Sequence, residues 1–500
     1  MSTQLPTALS KSKLMACRQC ARRLWLEWHH PELCEVSAAS QAAFETGHTV
    51  GAIARRLYDP KGNGLEIGRD ATASRHSALQ QTAEALPRRL PLFEAGFEGG
   101  RAYAYADVLL PVGGKQGRSW RMVEVKSATA VKDYYRMDAA IQSYVARTAG
   151  LPLKGVAIAY VDKTWTYPGK EDYAGLLVEQ DVTRDAAALE PEVVELVENA
   201  HATIRMRKEP SVRTGPHCTS PYPCGFLDHC KASEPVAEYP VEWIPRKQRK
   251  DLLAHLAQSG AIDMRQVPDH LLNPQQQRVK QVTLSGKPYS DRRGAAERLR
   301  KDPYPHYFLD FETVQFAVPI WAKTRPYQKI PFQFSLHRRS ASGEIWHHEF
   351  LDLSGNDPSR PLAEALVKAC GVRGAIYAYN AGFEKGVLTD LARRFPTLRA
   401  ALTQVCERIV DLYPIATDHY YHPDQQGSWS IKSVLPTLAP EHDYGNLDGV
   451  QDGGMAMDAF HLAIASDTSA AERARIEQEL LAYCRLDTEA LMVLRDYWVR

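Results

Sequence analysis

What the sequence lacks narrows it first. No apolar run is long enough to cross a bilayer as a helix, which takes about 20 residues, so no membrane partner is expected. No Gly-x4-Gly-Lys-Ser/Thr phosphate loop is present, so the chain carries no recognisable nucleotide-driven motor of its own. Internal repeats and low-complexity tracts are absent too. The nine cysteines are odd in number and unevenly placed, which argues against a disulfide framework. The opening stretch MSTQLPTALSKSKLM has no apolar core of the secretory kind, and the expected location is the cytoplasm.

What remains is the composition of a globular protein, 44% apolar and 24% charged. Its 500 residues exceed one ordinary core, so two or three domains are expected. A net charge of +1 conceals an asymmetry, because Arg246 to Lys301 holds thirteen Lys/Arg against five Asp/Glu. A basic segment between acid-bearing regions suits phosphate attraction, although a solvated linker face would carry the same charge. Pro268, Pro274 and Pro288 break this segment into short pieces. We expect a helical linker over 236–302, with helices from Trp243 and over Ala295 to Leu299.

The most informative stretch is Tyr307-Phe-Leu-Asp-Phe-Glu-Thr313. Its aromatic and branched residues predict a buried strand. Asp310 and Glu312 are two apart and therefore point to the same face. Two converging carboxylates in a buried strand need compensation, and a divalent cation such as Mg²⁺ or Mn²⁺ supplies it. The plain alternative is a strand end with two solvated acids. Downstream, strands are expected over Pro331–His337, Glu344–Phe350, Ala375–Tyr379 and Ile409–Tyr413. Asn380-Ala-Gly-Phe-Glu384 reads as a strand end leading into a helix. A long helix over Glu477–Trp498 places Tyr483 and Asp487, four apart, on one face.

Residues 1 to about 235 read as a separate domain. One helix is expected over Lys11–Trp28 and a second from Ser37 to Leu57. Strands follow over Leu92–Glu98, Ala102–Leu110 and Trp120–Ser127, then a helix containing Asp138, Gln142 and Tyr144. Asp107 ends one strand and Glu124-Val-Lys126 lies on the next. This pair of acids suits a shared metal, and Lys126 suits orienting or deprotonating a water or stabilising phosphate charge. Near the domain's end, Cys218, Cys224 and Cys230 fall within thirteen residues of a Pro/Gly-containing loop. Three thiolates so placed favour a soft metal. Cys34, Cys370, Cys406 and Cys484 read as ordinary cysteines.

These motifs carry a resemblance. An Asp, then Glu-x-Lys, then a helix with Gln142-Ser-Tyr144 resembles the PD-(D/E)XK nucleases of the RecB type. The resemblance implies that Asp107, Glu124 and His48 hold Mg²⁺ or Mn²⁺, with Lys126 and Gln142 in catalytic roles. In iron–sulfur members a cysteine ahead of the nuclease core completes the cluster. Cys20-Ala-Arg-Arg-Leu-Trp-Leu is similar to that element, with Cys17 in reserve, so Cys20, Cys218, Cys224 and Cys230 would hold a [4Fe–4S] cluster, or structural Zn²⁺ as the runner-up. The second half resembles the DEDD exonucleases of the tyrosine subtype, which have a ribonuclease H-like fold. That implies Asp310, Glu312 and Asp487 as metal ligands and Tyr483 as the residue that positions water. Where that family has Asp this chain has Glu384, leaving Glu384 or Asp411 as the fourth ligand. Together the halves resemble a family of bacterial proteins fusing the two nuclease types.

The expected fold class is therefore mixed α/β in two domains, 1–235 and 303–500. The expected function is a two-centre, metal-dependent nuclease degrading DNA from ends, 3′→5′ at the C-terminal centre. The alternative is one exonuclease centre, for DNA or RNA, beside a non-catalytic DNA-binding N-terminal domain. The expected partner is nucleic acid, DNA ahead of RNA, together with a separate helicase or a defence or repair protein.

Overall fold

The computed structural model describes residues 7–35, 38–68, 74–113, 117–442, 444–447 and 449–499. The chain is mixed α/β and divides into two compact units. The first comprises Met1–Glu234 with Phe316–Gln328, and the second Pro235–Gln315 with Lys329–Arg500. Among the described residues no helix is long and apolar enough to cross a membrane.

In the first unit the helices are α1 (Lys11–Gln19), α2 (Ala21–His29), α3 (Ala38–Tyr58), α4 (Arg75–Ala85), α5 (Asp133–Thr148), α6 (Thr183–Ala188), α7 (Glu190–Ile204) and α8 (Leu227–Ala232). The strands are β1 (Leu9–Ser10), β2 (Leu65–Glu66), β3 (Leu92–Gly99), β4 (Ala102–Val112), β5 (Ser119–Lys126), β6 (Leu153–Val161) and β7 (Leu177–Asp181). They form one sheet in the order β2-β3-β4-β5-β6-β7, with β1 beside β4. β3, β4 and β5 run antiparallel, and β6 returns parallel to β5 after the α5 crossover. Ala102, Ala104 and Ala106 alternate inward on β4 and share a core with Met137, Ala140, Ile141 and Val145 of α5. Small residues on that strand let the helix lie close to the sheet.

The single helix expected over Lys11–Trp28 is two helices. Cys20 is extended, at φ −165° and ψ 124°, closing α1 and opening α2. Its amide still donates to the Ala16 carbonyl at 2.9 Å.

In the second unit the helices are α9 (Lys250–Ser259), α10 (Pro274–Ser285), α11 (Arg292–Leu299), α12 (Ser359–Cys370), α13 (Gly382–Arg394), α14 (Arg399–Glu407), α15 (Leu412–His419), α16 (Ile431–Leu438), α17 (Gly453–Ile464) and α18 (Ala470–Val499). The strands are β8 (Tyr289–Ser290), β9 (His306–Val314), β10 (Ile330–Arg339), β11 (Ile345–Leu351), β12 (Ile376–Ala378), β13 (Ile409–Asp411) and β14 (Tyr420–Tyr421). The main sheet runs β11-β10-β9-β12-β13. Its first three strands are antiparallel, and β12 and β13 join parallel to β9. β8 and β14 form a separate two-stranded ribbon.

Residues 236–302, expected as a linker, are integrated into the second unit. Val279, Val282, Ala295 and Leu299 share a core with Phe308, Tyr377, Leu494 and Trp498. Pro274, read as a breaker, instead starts α10 behind an Asn273–Gln276 capping box, where a missing N–H costs nothing. The helix expected from Trp243 starts only at Lys250. Part of the segment's positive charge is paired, Arg265 with Asp263 and Lys280 with Asp269 inside it and Arg298 with Asp418 beyond it.

Candidate active centres and the cysteine cavity

β9 is central in its sheet, and Asp310 and Glu312 leave it on the same face. α18 supplies Asp487 from its buried side. One carboxylate oxygen from each of Asp310, Glu312 and Asp487 lies within 4.8 Å of the others. Glu312 and Asp487 are only 6% and 7% exposed. None of these acids, nor Glu384, forms an ion pair among the described residues. Burial raises all of them, and repulsion from neighbouring acids adds to the shift at Asp310, Glu312 and Glu384. Asp310 is pushed well above the usual carboxylate range by burial, then by Asp487, Glu312 and Glu384. Glu312 is raised to about 8 by burial and Asp487. Burial raises Asp487 to about 6, against the opposing pull of Tyr444 and Lys432. Such a cluster is costly as free carboxylates and matches the donor chemistry of a hard divalent cation.

Glu384 lies in the first turn of α13, buried, with Oε2 lacking any hydrogen-bond partner. Burial raises it to about 8, and Asp487 adds to the shift. It is outside the 4.8 Å group but within electrostatic reach of Asp310. Asp411, the other candidate, is committed elsewhere. Its Oδ1 accepts from the amides of Asn380 and Tyr413, both at 2.9 Å, and so caps α15. Tyr483, one helical turn before Asp487, is buried, and burial with the nearby acids holds its hydroxyl firmly protonated.

Three further side chains complete this centre without any local sequence signal. Tyr444 donates to Asp487 Oδ1 at 2.6 Å. The Lys432 ammonium lies 5.3 Å from the Tyr444 ring and 5.2 Å from the Tyr483 ring, and its charge acts on both Glu312 and Asp487. Cys484, expected to be ordinary, places Sγ 3.6 Å from Asp310 Oδ2. The Lys432 ammonium donates to the Gln451 carbonyl; in the turn before α16, Gly427 at φ +80° passes so close to Trp243 that an added Cβ would collide with its carbonyl.

In the first unit, β4–β5 pairing stops at Val108 opposite Val123. Beyond that point the Val125 amide donates to Asp107 Oδ2 at 2.7 Å. Glu124 is buried and fully engaged. Lys11 and Lys126 donate to its Oε1 at 2.9 and 2.7 Å, and Gln142 donates to Oε2 at 2.5 Å. Both lysines also pair with Asp138. Burial would lower Lys126, but Glu124, Asp138 and Asp107 outweigh it and raise its pKa well above the ordinary value. Lys126 is thus a fixed cation rather than a base in this arrangement. Tyr144 does not reach the centre. It stands two residues from Gln142, about 200° around the helix, and packs against Gly100.

His48 is exposed, and it lines a cavity of about 150 Å³ with Asp107, Glu94 and Arg55. Glu94, unforeseen from sequence, adopts φ +56° on β3 where the register skips from Phe93 to Ala95. Lys11 and Asp138 were also unforeseen. Asp138 lies one turn before Gln142, a spacing that the sequence does display.

The structure brings Cys20, Cys218, Cys224 and Cys230 around one small cavity, with Arg22 and Arg23 beside them. Cys17 points instead into the sheet's core. All four thiols are free. Tetrahedral zinc, with Zn–S near 2.3 Å, would hold its sulfurs about 3.8 Å apart. Among the described residues only Asp310, Glu312 and Asp487 bring three ligand atoms within 4.8 Å, so no three thiols are drawn to zinc spacing.

A family model described as a domain of unknown function, DUF2779, matches residues 307–430. That stretch holds Asp310, Glu312, Glu384 and Asp411 and ends before Lys432, Tyr444, Tyr483 and Asp487. No curated protein and no solved structure matches the chain.

Proposed function

We propose that this protein is a metal-dependent nuclease with two centres. The observation that carries the proposal is the convergence of Asp310, Glu312 and Asp487 within 4.8 Å, with no ion pair to any of them among the described residues. A ribonuclease H-like reading of the second unit is supported by the β11-β10-β9-β12-β13 order, with the acids on the central strand and the closing helix. Asp310, Glu312 and Asp487 would hold divalent cations, which would supply the charge that activates water and neutralises the leaving oxygen. Tyr483 is suited to orient that water through its protonated hydroxyl. Tyr444 fixes the Asp487 carboxylate, Lys432 adds positive charge, and Glu384 is the acid available for a fourth ligand.

A PD-(D/E)XK reading of the first unit is supported by three antiparallel strands, a crossover helix and a parallel return strand, with Asp107, Glu124, Lys126 and Gln142 meeting at the splayed edge. Cys20, Cys218, Cys224 and Cys230 around one cavity would hold a [4Fe–4S] cluster, with structural Zn²⁺ as the runner-up. End-labelled DNA and RNA incubated with Mg²⁺ or Mn²⁺ test the proposal. Wild type should shorten one of them, and Asp487→Asn should abolish removal from 3′ ends. Metal-independent cutting, or none on either polymer, would contradict it.

A second reading has its own observation. Both Glu124 oxygens are occupied by Lys11, Lys126 and Gln142, which favours a first unit that binds nucleic acid without cutting it. Cleavage products unchanged by Glu124→Ala would favour this reading.

A further inference from the structure

Between Cys218 and Cys224, Tyr222 is 41% exposed despite its large ring. Its backbone is nevertheless fixed. The Cys224 amide donates to the Cys218 carbonyl at 2.8 Å. Gln19, adjacent to Cys20, donates to the carbonyls of His217 at 2.7 Å and Tyr222 at 2.8 Å. The loop that carries three cluster cysteines thus presents one rigid aromatic side chain to solvent. The Tyr222 ring meets Tyr134 of α5 edge-on, at 5.1 Å and 74°, and Tyr134 in turn lies 4.3 Å from Tyr135. Lys132 stands 5.6 Å over Tyr134 and Lys126 5.1 Å over Tyr135. Tyr222 is also close enough to Lys126 and Asp138 for their charges to act on its hydroxyl.

From this arrangement we propose that Tyr222 and Tyr134 form a stacking site for one unpaired nucleobase of a single strand, beside Lys126. The chemistry selects that ligand. Tyr222 keeps 41% of its surface exposed, and an aromatic side chain on a fixed backbone offers surface that a flat aromatic group covers at little entropic cost. Lys132, exposed beside Tyr134, suits a phosphate next to that base. A base inside a duplex is already stacked on its neighbours, so the site discriminates in favour of single strands without reading sequence. It also gives the cysteine loop a task besides holding the domain together: it sets the position of Tyr222.

This inference rests on the first unit acting on nucleic acid, and the test separates the two. The full chain, kept anaerobic and in EDTA so that nothing is cut, is mixed with a fluorescein-labelled single-stranded oligonucleotide carrying 5-iodouracil. Binding is read by anisotropy, and ultraviolet crosslinks are mapped by mass spectrometry. Wild type should crosslink through Tyr222 or Tyr134. Tyr222→Ala should lose that crosslink and weaken single-strand binding by about 5- to 150-fold, the effect of removing one base–aromatic stack. Duplex binding should be unchanged, and Tyr222→Trp should restore the single-strand affinity. Tyr134→Leu, on a different element, should reproduce the loss if Tyr222→Ala perturbs its loop. Crosslinks mapping only elsewhere, with affinity unchanged in both variants, would overturn the stacking site. Wild-type protein that neither binds nor crosslinks would overturn the nucleic-acid reading as well.

Discussion

Replacing Glu312 with Gln should make the second unit's stability less dependent on pH and remove much of its response to divalent cations. Glu312 is held at about 8 by burial and Asp487, against about 4.3 in an unfolded chain. The folded state therefore binds the extra proton. Stability is full below the unfolded value and is lost as pH rises through the folded one, at up to about 1.4 kcal/mol per pH unit. Between pH 6 and 8 this group alone accounts for roughly 2 kcal/mol. The size is consistent with geometry, since two charges at 4.8 Å, the outer limit of the spacing here, repel by about 3.5 kcal/mol at an effective dielectric of about 20. Calorimetry in EDTA should show the second unit's transition falling by roughly 4–8 °C over that range. Glu312→Gln should show a fall smaller by about Glu312's share, while Glu384, also raised to about 8, keeps its own. Mn²⁺ at a hundredfold over its Kd should stabilise wild type by about 2.7 kcal/mol, most visibly at pH 8, and the variant by clearly less. An unchanged pH slope together with an unchanged Mn²⁺ response in Glu312→Gln would refute the reasoning.

Other variants probe other parts. Tyr483→Phe should keep Mn²⁺-dependent stabilisation while slowing removal of 3′ nucleotides about 100-fold or more in single-turnover kinetics. Cys20→Ser should lose the brown colour and the iron content of anaerobically purified protein, whereas Cys17→Ser should keep both. Lys11→Met leaves Glu124 and Asp138 with Lys126 alone, and should lower the first unit's stability by roughly 1–3 kcal/mol, less than the full break of a buried pair. Thermal unfolding of that unit checks it, and an unchanged midpoint would mean that the Lys11 pairs contribute nothing.

The strands around both centres were legible because their patterns are local. Alternation predicts β4 and β5, and Asp310 and Glu312 share a face simply by being two apart on β9. Residues that arrive from distant chain were not legible. Lys11 reaches Glu124 across 113 positions, and Tyr444 reaches Asp487 across 43, with no spacing rule to reveal either. Pro274 misled in the opposite direction, because a proline reads as a breaker unless the Asn273–Gln276 box beside it marks a helix start. The break at Cys20 was hidden for another reason. Leu14, Leu24 and Trp25 keep a helical rhythm across it, so the kink is visible only in the backbone. That Asp411 caps α15 while Glu384 Oε2 is left without a hydrogen-bond partner also required the structure, since the two carboxylates look alike in sequence.

The central claim is two separable centres, and the most direct test is cleavage of end-labelled single-stranded DNA with Mn²⁺ by wild type, Asp310→Ala and Lys126→Ala. Two independent centres predict that each substitution removes a different set of products and leaves the other set intact. Loss of all cleavage from either single substitution would contradict them.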